Sequence, residues 1–317
     1  MEKIYSEGLS IVIPSYNRKK ELIRLLESIH LEDLTCLKEI VVVDNCSDYD
    51  LNEVLKPFSF EKVRIVKNAF NVQMGTNMMN TFLNCTTEWM WIISDDDVIS
   101  HGAIKTIYQK IEENASAGLL KFSTEGISRV GLEKNVKINS LEELIDYYNE
   151  DEKLRTGNLI FLSNGVYNLN VLYPFLGKGF EYSYTFIPFL IPVFFALQSG
   201  VQVCFRQEKI VKYNHPENDW SMSKIGMGLS VFSHIPLDLS DLYCKKLLRL
   251  IMIVNFFPLF IFLVKKAPSG SKKIYDLVYQ NCYKYYLNPL EKLKYNVCLF
   301  LLNFPKVMGR VYKLSRK

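Results

Sequence analysis

Three consecutive aspartates, Asp95, Asp96 and Asp97, follow a short apolar run at residues 89–93. A short apolar run ended by polar residues is typical of a buried strand, which would deliver the carboxylates to one end of a sheet. Side chains on an extended segment alternate between its two sides, so Asp95 and Asp97 are expected on the same side. Two such carboxylates can hold Mg²⁺ or Mn²⁺, and the cation can neutralise a diphosphate. An acidic loop, or a first-turn charge on the helix near His101, explains the residues without chemistry.

The elements that would position these aspartates alternate along the chain. Continuous apolar or β-branched runs predict strands, and recurring leucines and isoleucines between them predict helices. The predicted strands are 9–14, 39–44, 63–66, the run before Asp95, and 118–122; the predicted helices are 22–29, 51–55, 71–84 and 101–114. Alternating strands and helices with short connections predict an α/β fold whose parallel sheet has helices on both faces.

Polar clusters follow three of the predicted strands. They are Pro14–Arg18, Asp44–Asp48 and Asp95–Asp97. Each cluster alone is ordinary turn chemistry, because Asn, Asp, Ser and Pro are turn formers. In open α/β sheets, however, ligands bind at the carboxyl ends of the strands. Three clusters at one such edge therefore indicate a ligand site.

The segments Ile11–Arg18, Val41–Ser47 and Trp91–Asp97, in this order, resemble the family 2 glycosyltransferases. The resemblance covers about the first third of the chain. It implies the GT-A fold, a Rossmann-like, mostly parallel sheet flanked by helices, and a nucleotide-sugar donor. The nearer resemblance is to bacterial enzymes that build O-antigen, capsule or other surface polysaccharide.

The resemblance also implies roles for individual residues. Asp44 would accept a hydrogen bond from the donor base, while Asp95 and Asp97 match the DxD pattern and would ligate Mn²⁺ or Mg²⁺. The residues implied to contact the donor are Pro14, Ser15, Tyr16, Asn17, Asp44, Ser47, Asn77, Asp95 and Asp96. Without a cation or an Arg/Lys clamp, a nucleoside diphosphate is a poor leaving group, so the chemistry agrees with this assignment.

One departure from the family pattern lies in the loop that begins at Asn71. Family members usually carry glycine where this chain has Gln73, and Gly75 is expected to supply the flexibility instead. We place Asn77 near the donor. The alternative is that Asn77 and Asn80 form an exposed helix face.

The second half of the predicted transferase domain would shape the acceptor site. Inverting family members usually place an acidic pair before an apolar helix, and here Glu181 is followed by Tyr182. Glu181 is the predicted general base, which would take the proton of the attacking acceptor hydroxyl; an exposed surface acid is the alternative. His215 and Asp219, in the loop after the predicted strand 208–213, are the other candidates for the base.

The charge distribution sets the last part of the chain apart. The net charge is +4 over 317 residues, but residues 243–317 carry 15 Lys/Arg against two acids, which leaves the rest of the chain at −9. Such a segment is expected to meet an anionic surface, either nucleic acid or membrane. Its interleaved tyrosines and lysines suit a lipid headgroup layer, and no RNA-recognition motif is present. We therefore expect no nucleic-acid partner.

These patterns predict a GT-A domain at 1–235, with a nucleotide-sugar half at 1–122 and an acceptor half at 123–235, and a helical, basic, membrane-associating region at 236–317. The most hydrophobic stretch, 247–264, is shorter than the ~20 apolar residues that a span needs. It predicts a helix or hairpin in the membrane interface, or else a buried core helix.

The cysteines and the first residues of the chain help to predict the cellular compartment. Seven cysteines without CxxC spacing predict neither a zinc site nor a disulfide framework. The first residues lack the basic and apolar segments of a signal peptide. We expect a cytoplasmic protein, peripheral on the inner face of the cell membrane.

The prediction is thus a metal-dependent, inverting glycosyltransferase that uses a lipid-linked oligosaccharide acceptor. A non-catalytic homologue that binds a nucleotide sugar or a partner is the alternative. A nucleotidyltransferase is less favoured, because no glycine-rich basic loop follows the first strand.

Overall fold

A computed structural model of the chain describes residues 5–58, 62–125, 134–150, 156–213, 222–252, 256–266 and 271–304. The chain divides into two compact units, Met1–Glu217 and Asn218–Lys317. The first unit ends before the boundary that the sequence predicted after residue 235. The assignment of donor, acceptor and membrane roles to parts of the chain stays a prediction.

Nine strands form one sheet within the described part of the first unit. They are β1 (Ser6–Ser15), β2 (Leu37–Asp44), β3 (Val63–Lys67), β4 (Thr87–Ile92), β5 (Val98–Ile99), β6 (Leu119–Glu125), β7 (Val136–Ile138), β8 (Gly165–Asn168) and β9 (Val203–Lys212). The order is β3-β2-β1-β4-β8-β6-β9-β5, and β7 pairs with β9. Strands β3, β2, β1 and β4 are parallel, whereas β8 runs antiparallel to β4 and β6.

Helices connect and cover these strands. They are α1 (Lys19–His30), α2 (Leu51–Leu55), α3 (Met74–Asn84), α4 (Ala103–Glu113), α5 (Leu141–Glu150), α6 (Thr156–Ile160), α7 (Leu169–Leu172), α8 (Leu176–Glu181) and α9 (Ile191–Gln198). The predicted α/β architecture, a mostly parallel sheet flanked by helices, is confirmed. Helix α1 buries Leu22, Leu25, Leu26 and Ile29, which recur at the predicted helical spacing.

The apolar run within residues 157–168 predicts a strand and a turn, and the structure agrees only in part. Helix α6 occupies its first residues, and β8 begins only at Gly165. Asn158 explains the difference, since its Nδ2 donates to the carbonyl of Phe122 at 3.0 Å and its Oδ1 accepts from the hydroxyl of Tyr148 at 3.0 Å. These contacts across the fold hold the segment in a turn of helix.

The second unit is helical. Its helices are α10 (Met222–Ser230), α11 (Asp241–Ile251), α12 (Phe256–Lys266), α13 (Ser271–Val278), α14 (Lys284–Tyr286) and α15 (Pro289–Leu301), with a π-helical turn at Tyr279–Tyr283. A stack of tyrosines lies inside it: the ring of Tyr295 lies 4.6 Å from that of Tyr275 and 4.2 Å from that of Tyr279. Among the residues described, no helix is long and apolar enough to cross a membrane.

The described residues of the hydrophobic stretch 247–264 contribute mainly to the core of this unit. Leu247, Leu250 and Ile251 of α11 are buried, and so are the α12 side chains Leu259 and Leu263. The described side chains of this stretch therefore favour the buried-helix alternative over a helix in the membrane interface. Periodicity could not decide between them, because a buried helix and an interfacial helix are similarly apolar.

Candidate functional site

The carboxyl ends of β1, β2 and β4 lie side by side. Ser15 is the register partner of Asp44 in the parallel pair β1–β2, and Ile93 donates its backbone N–H to the carbonyl of Val12 at 3.0 Å just past the end of β4. The three polar clusters predicted at one sheet edge therefore meet. The contact between them is direct, since Ser15 Oγ donates to Asp95 Oδ2 at 2.8 Å.

Two arginines, Arg18 just before α1 and Arg24 within it, contact Asp96 in the middle of the aspartate turn, residues 94–97. Arg18 Nη1 lies 3.3 Å from Asp95 Oδ1 and also contacts a carboxylate oxygen of Asp96. Arg24 Nη2 donates to the backbone carbonyl of Asp96 at 2.8 Å. Asp96 thus serves mainly to anchor the turn on α1, and neither Arg18 nor Arg24 is among the residues predicted to contact the donor.

The buried position of Asp95 disfavours the negative charge of its carboxylate. Burial raises its pKa to about 7 and the neighbouring Asp96 adds to the rise, whereas Arg18 and Ser15 oppose it. Near neutral pH the carboxyl is therefore shared between its protonated and charged forms. An additional positive charge beside it would favour the charged form.

Asp97 is held from the other side of β4. Ser163 Oγ donates to Asp97 Oδ2 at 2.5 Å and accepts the N–H of Ser94 at 2.8 Å. The backbone carbonyl of Ser163 accepts the indole N–H of Trp91 at 2.8 Å. Ser163 therefore connects the aspartate turn to β4, the strand that precedes the turn. The only signal for it in the sequence is an ordinary Ser-Asn-Gly turn.

The carboxylates suit a cation that is shared with substrate and water, and not a cation held by protein side chains alone. In the part of the chain that the structure describes, no three His, Cys, Asp or Glu side chains converge as a metal cage. Asp95 and Asp97 are both buried and offer carboxylate oxygens, the donor type that Mg²⁺ and Mn²⁺ prefer. Such a pair suits a cation whose remaining ligands come from substrate phosphates and water.

Asp44, at the end of β2, is fully buried, and one of its two carboxylate oxygens accepts a hydrogen bond. Its Oδ1 accepts the N–H of Ser47 at 2.9 Å. Its Oδ2 accepts no hydrogen bond from the described residues, and the Nζ of Lys67 lies 3.7 Å away. An acceptor atom buried without a hydrogen bond is costly, and a ligand N–H would satisfy it.

The loops after β1 and β2 are tied together beside Asp44. Ser47 Oγ accepts the N–H of Asn17 at 2.9 Å, and Asn17 Oδ1 accepts the N–H of Asp48 at 2.9 Å. Asn17 adopts a left-handed conformation, with φ of 52°, which asparagine tolerates better than most residues. Pro14 is half-buried and Tyr16 is exposed at the same edge, so the ring of Tyr16 is accessible to a ligand.

Asn77 lies near this edge but is not on an exposed helix face. It is buried, its Nδ2 donates to the carbonyl of Val43 at 3.2 Å, and its Oδ1 accepts from Asn68 at 2.8 Å. Asn45 continues this network by accepting from Asn68 and from the N–H of Val72. The exposed-face alternative is therefore wrong for Asn77, whose amide joins α3 to the end of β2.

The departure at Gln73 has a structural consequence. Gln73 has φ of 70° and ψ of 161°, a region populated almost only by glycine. Gly75 does not provide the flexibility expected of it. A Cβ there would lie 1.9 Å from the carbonyl oxygen of Ser183, so this glycine allows the segment after α8 to pack against the start of α3.

Glu181 ends α8, just before that packed segment. Its carboxylate is about half exposed and lies 2.7 Å from the Nζ of Lys178, whose hydrogen bond lowers the pKa of Glu181. His215 and Asp219, the other candidates for the base, lie outside the described residues. The choice of general base stays a prediction.

Residues 10–166 match the model of "Glycosyl transferase family 2". The chain belongs to glycosyltransferase family 2. The matched region contains all three strand-end clusters and Ser163, so the family assignment and the geometry refer to the same edge of the sheet.

Three curated relatives are named as glycosyltransferases. The chain is 29% identical over 147 residues to the Campylobacter jejuni GalNAc(5)-diNAcBac-PP-undecaprenol beta-1,3-glucosyltransferase, which covers 43% of this chain and 47% of the relative. It matches less than half the length of each of three curated relatives.

Two solved structures share the fold of this family 2 chain. Staphylococcus aureus TarS 1-349 in complex with UDP-GlcNAc has a TM-score of 0.59 at 14% identity, covering 97% of this chain and 92% of that one. The Pyrobaculum calidifontis mannosyltransferase PcManGT, in complex with GDP-Man and Mn²⁺, has a TM-score of 0.55 at 13% identity, covering 100% and 89%.

Proposed function

We propose that this family 2 protein transfers a sugar from a nucleotide-sugar donor to a hydroxyl of a lipid-linked oligosaccharide. The observation that carries the proposal is the hydrogen bond from Ser15 to Asp95. It joins the loop proposed to hold the nucleoside to the carboxylates proposed to serve the diphosphate. The nucleoside and the diphosphate of a nucleotide sugar would thereby both be bound at one sheet edge.

The donor base would be read by Asp44. Its buried Oδ2 accepts no hydrogen bond from the described residues and would accept the ring N–H of uracil, thymine or guanine. Pro14, Ser15, Tyr16 and Asn17 would line the base and ribose. The solved structures with UDP-GlcNAc and GDP-Man carry two bases of this type.

The diphosphate would lie by Asp95 and Asp97. When bound, Mn²⁺ or Mg²⁺ would neutralise the negative charge that develops on the leaving nucleoside diphosphate. Ser15 and Ser163 would fix the two carboxylates, and Arg18 would balance the charge of Asp95 and Asp96. The Mn²⁺ complex of the mannosyltransferase supports divalent metal use in this fold.

The proposed reaction is a direct displacement with inversion. The acceptor oxygen forms a bond to the anomeric carbon as the bond to the diphosphate oxygen breaks, and a general base takes the hydroxyl proton. We propose Glu181 as this base, with His215 and Asp219 as its rivals. The packing of Ser183 against Gly75 supports Glu181, because it brings the segment after α8 to the amino end of α3.

The acceptor proposal rests on charge and on one relative. The name of the Campylobacter jejuni relative describes transfer to an undecaprenol-diphosphate-linked oligosaccharide. The strongly basic segment 243–317 suits the anionic inner face of the cell membrane. We therefore propose a peripheral protein of bacterial surface polysaccharide synthesis, such as that of O-antigen or capsule.

A non-catalytic homologue that binds a nucleotide sugar is the second candidate. The exposed ion pair of Glu181 with Lys178 favours it, because a carboxylate with a lowered pKa is a weak base. Binding without turnover would distinguish it from an enzyme.

Thermal-shift screening tests the donor proposal first. Nucleoside diphosphates and nucleotide sugars are added with and without Mn²⁺, and a ligand of the native state raises the melting temperature. We expect a metal-dependent shift with uridine, thymidine or guanosine species and a smaller one with cytidine and adenosine species. A folded protein that responds to none of them contradicts the proposal. Release of free nucleoside diphosphate from the binding donor, in the presence of membrane extract, then separates the enzyme from the binder.

A further inference from the structure

A line of large apolar side chains lies on the surface of the second unit. The outer face of α15 is defined by Leu290, Leu293, Val297, Phe300 and Phe304, which are 60%, 61%, 52%, 62% and 48% exposed. Spacings of three and four residues place them along one side of the helix. Phe304 continues the line past the last helical residue, because its N–H donates to the carbonyl of Leu301 at 2.9 Å.

The orientation of α15 is fixed by what its opposite face contacts. Tyr295, Cys298 and Leu302 are buried, and Tyr295 stacks on two tyrosines of the unit. Asn288 caps the helix, and its side chain and that of Glu291 form a capping box. The outer face therefore cannot turn inward without breaking this packing. A surface helix ordinarily presents polar side chains to water, and an exposed apolar line of this size marks an interaction surface.

Charge indicates what covers the outer face. Lys292 and Lys294 lie on α15 itself, and residues 243–317 have a net charge of +13. A second copy would bring two such segments together, and their charges would repel. An anionic bilayer instead offers an apolar interior for the side chains and a negative surface for the lysines.

We propose that the outer face of α15 is the membrane contact of this protein, with its apolar side chains inserted at the boundary between headgroups and acyl chains of an anionic bilayer. The inference deepens the proposed function, on whose peripheral membrane location it rests. It assigns the membrane contact to this face instead of to the stretch 247–264, whose described side chains are mostly buried.

Vesicle binding by the full chain tests this assignment. Wild type and the double variant Leu293→Gln/Phe300→Gln are sedimented with vesicles of phosphatidylglycerol and phosphatidylcholine in equal parts, and with phosphatidylcholine alone. We expect the variant to lose about tenfold or more in partition coefficient on the mixed vesicles. The matched control is Leu31→Gln/Leu83→Gln, which removes two leucines of the first unit that are 79% and 52% exposed and should bind like wild type.

Three outcomes separate the assignment from the wider proposal. Equal binding of wild type and the α15 variant, with both folded by circular dichroism, overturns the assignment but leaves membrane association intact. No binding of wild type to either vesicle removes the membrane location itself. A wild-type dimer in analytical ultracentrifugation that the α15 variant abolishes, without vesicle binding, shows that a second copy covers the face. The nucleotide thermal shift, measured on each variant, keeps the donor proposal separate.

Discussion

Ser15 ends β1 and Asp95 lies in the turn that follows the neighbouring parallel strand β4, and the hydroxyl of Ser15 donates to Asp95 Oδ2 at 2.8 Å. This contact is made although Asp95 is buried and its pKa is raised to about 7. The carboxylate is therefore kept in an environment that disfavours its charge, with one hydroxyl and one guanidinium to support it. Such a site is poised for an added cation.

The raised pKa of Asp95 predicts a pH dependence of stability in the absence of divalent cations. The unfolded chain releases this proton near pH 4 and the folded chain only near pH 7, so Asp95 lowers the free energy of unfolding as the pH rises between these values. Its share is about 2–3 kcal/mol between pH 5 and 7. Urea unfolding at both pH values measures it.

Asp95→Asn is the comparison for this pH effect, because asparagine has a similar shape but does not titrate. The variant should lose less stability than wild type between pH 5 and 7. Parallel pH profiles for the two proteins would show that Asp95 titrates normally. Excess Mn²⁺ should also flatten the wild-type profile, since a bound cation favours the charged carboxyl.

Asp97 should be essential for turnover and dispensable for folding. We expect Asp97→Ala to lower the rate of sugar transfer by ~100-fold or more, because the leaving diphosphate loses its cation. Circular dichroism should stay like that of wild type. In wild type, EDTA should abolish transfer and Mn²⁺ restore it. Full activity of Asp97→Ala, or undiminished turnover after EDTA, would remove the metal proposal.

Ser163 is predicted to act through Asp97 as a positioning residue. Ser163→Ala removes the hydroxyl that donates to Asp97 Oδ2 and should weaken the apparent affinity for Mn²⁺ by ~10-fold or more. The maximal rate at saturating Mn²⁺ should fall much less. The matched control is Ser100→Ala, since Ser100 is also buried but its Oγ has no hydrogen-bond partner among the described residues. Equal Mn²⁺ titrations of both variants would contradict this role.

Gln73 is predicted to be a strained residue. Its φ of 70° and ψ of 161° suit glycine, so Gln73→Gly should raise the free energy of unfolding by about 1 kcal/mol. Gln73→Ala is the control, because it removes the side chain but keeps the Cβ that causes the strain. Urea unfolding measures both variants. A gain for alanine as large as that for glycine would show that the side chain, and not the backbone, is unfavourable.

The order of strands and helices around the carboxyl ends of β1, β2 and β4 could be predicted from the sequence alone. Continuous β-branched runs can be buried only as central strands, and the carboxyl ends of parallel strands must share an edge. The clusters at Ser15, Asp44 and Asp95 follow from these two facts. The expected alternation of side chains along an extended segment does not apply to Asp95 and Asp97, because the backbone turns there and Asp97 donates its N–H to the carbonyl of Ser94 at 3.2 Å.

The tertiary structure alone decided the contacts between distant residues. Ser163 reaches Asp97, and Ser183 packs against Gly75, only because antiparallel β8 and the segment after α8 return to the sheet. In the second unit, packing decided which apolar side chains are covered: the described ones of 247–264 are mostly buried, whereas Phe300 is exposed. Residue type and periodicity describe the faces of a helix, but the elements that pack around it determine which face meets solvent.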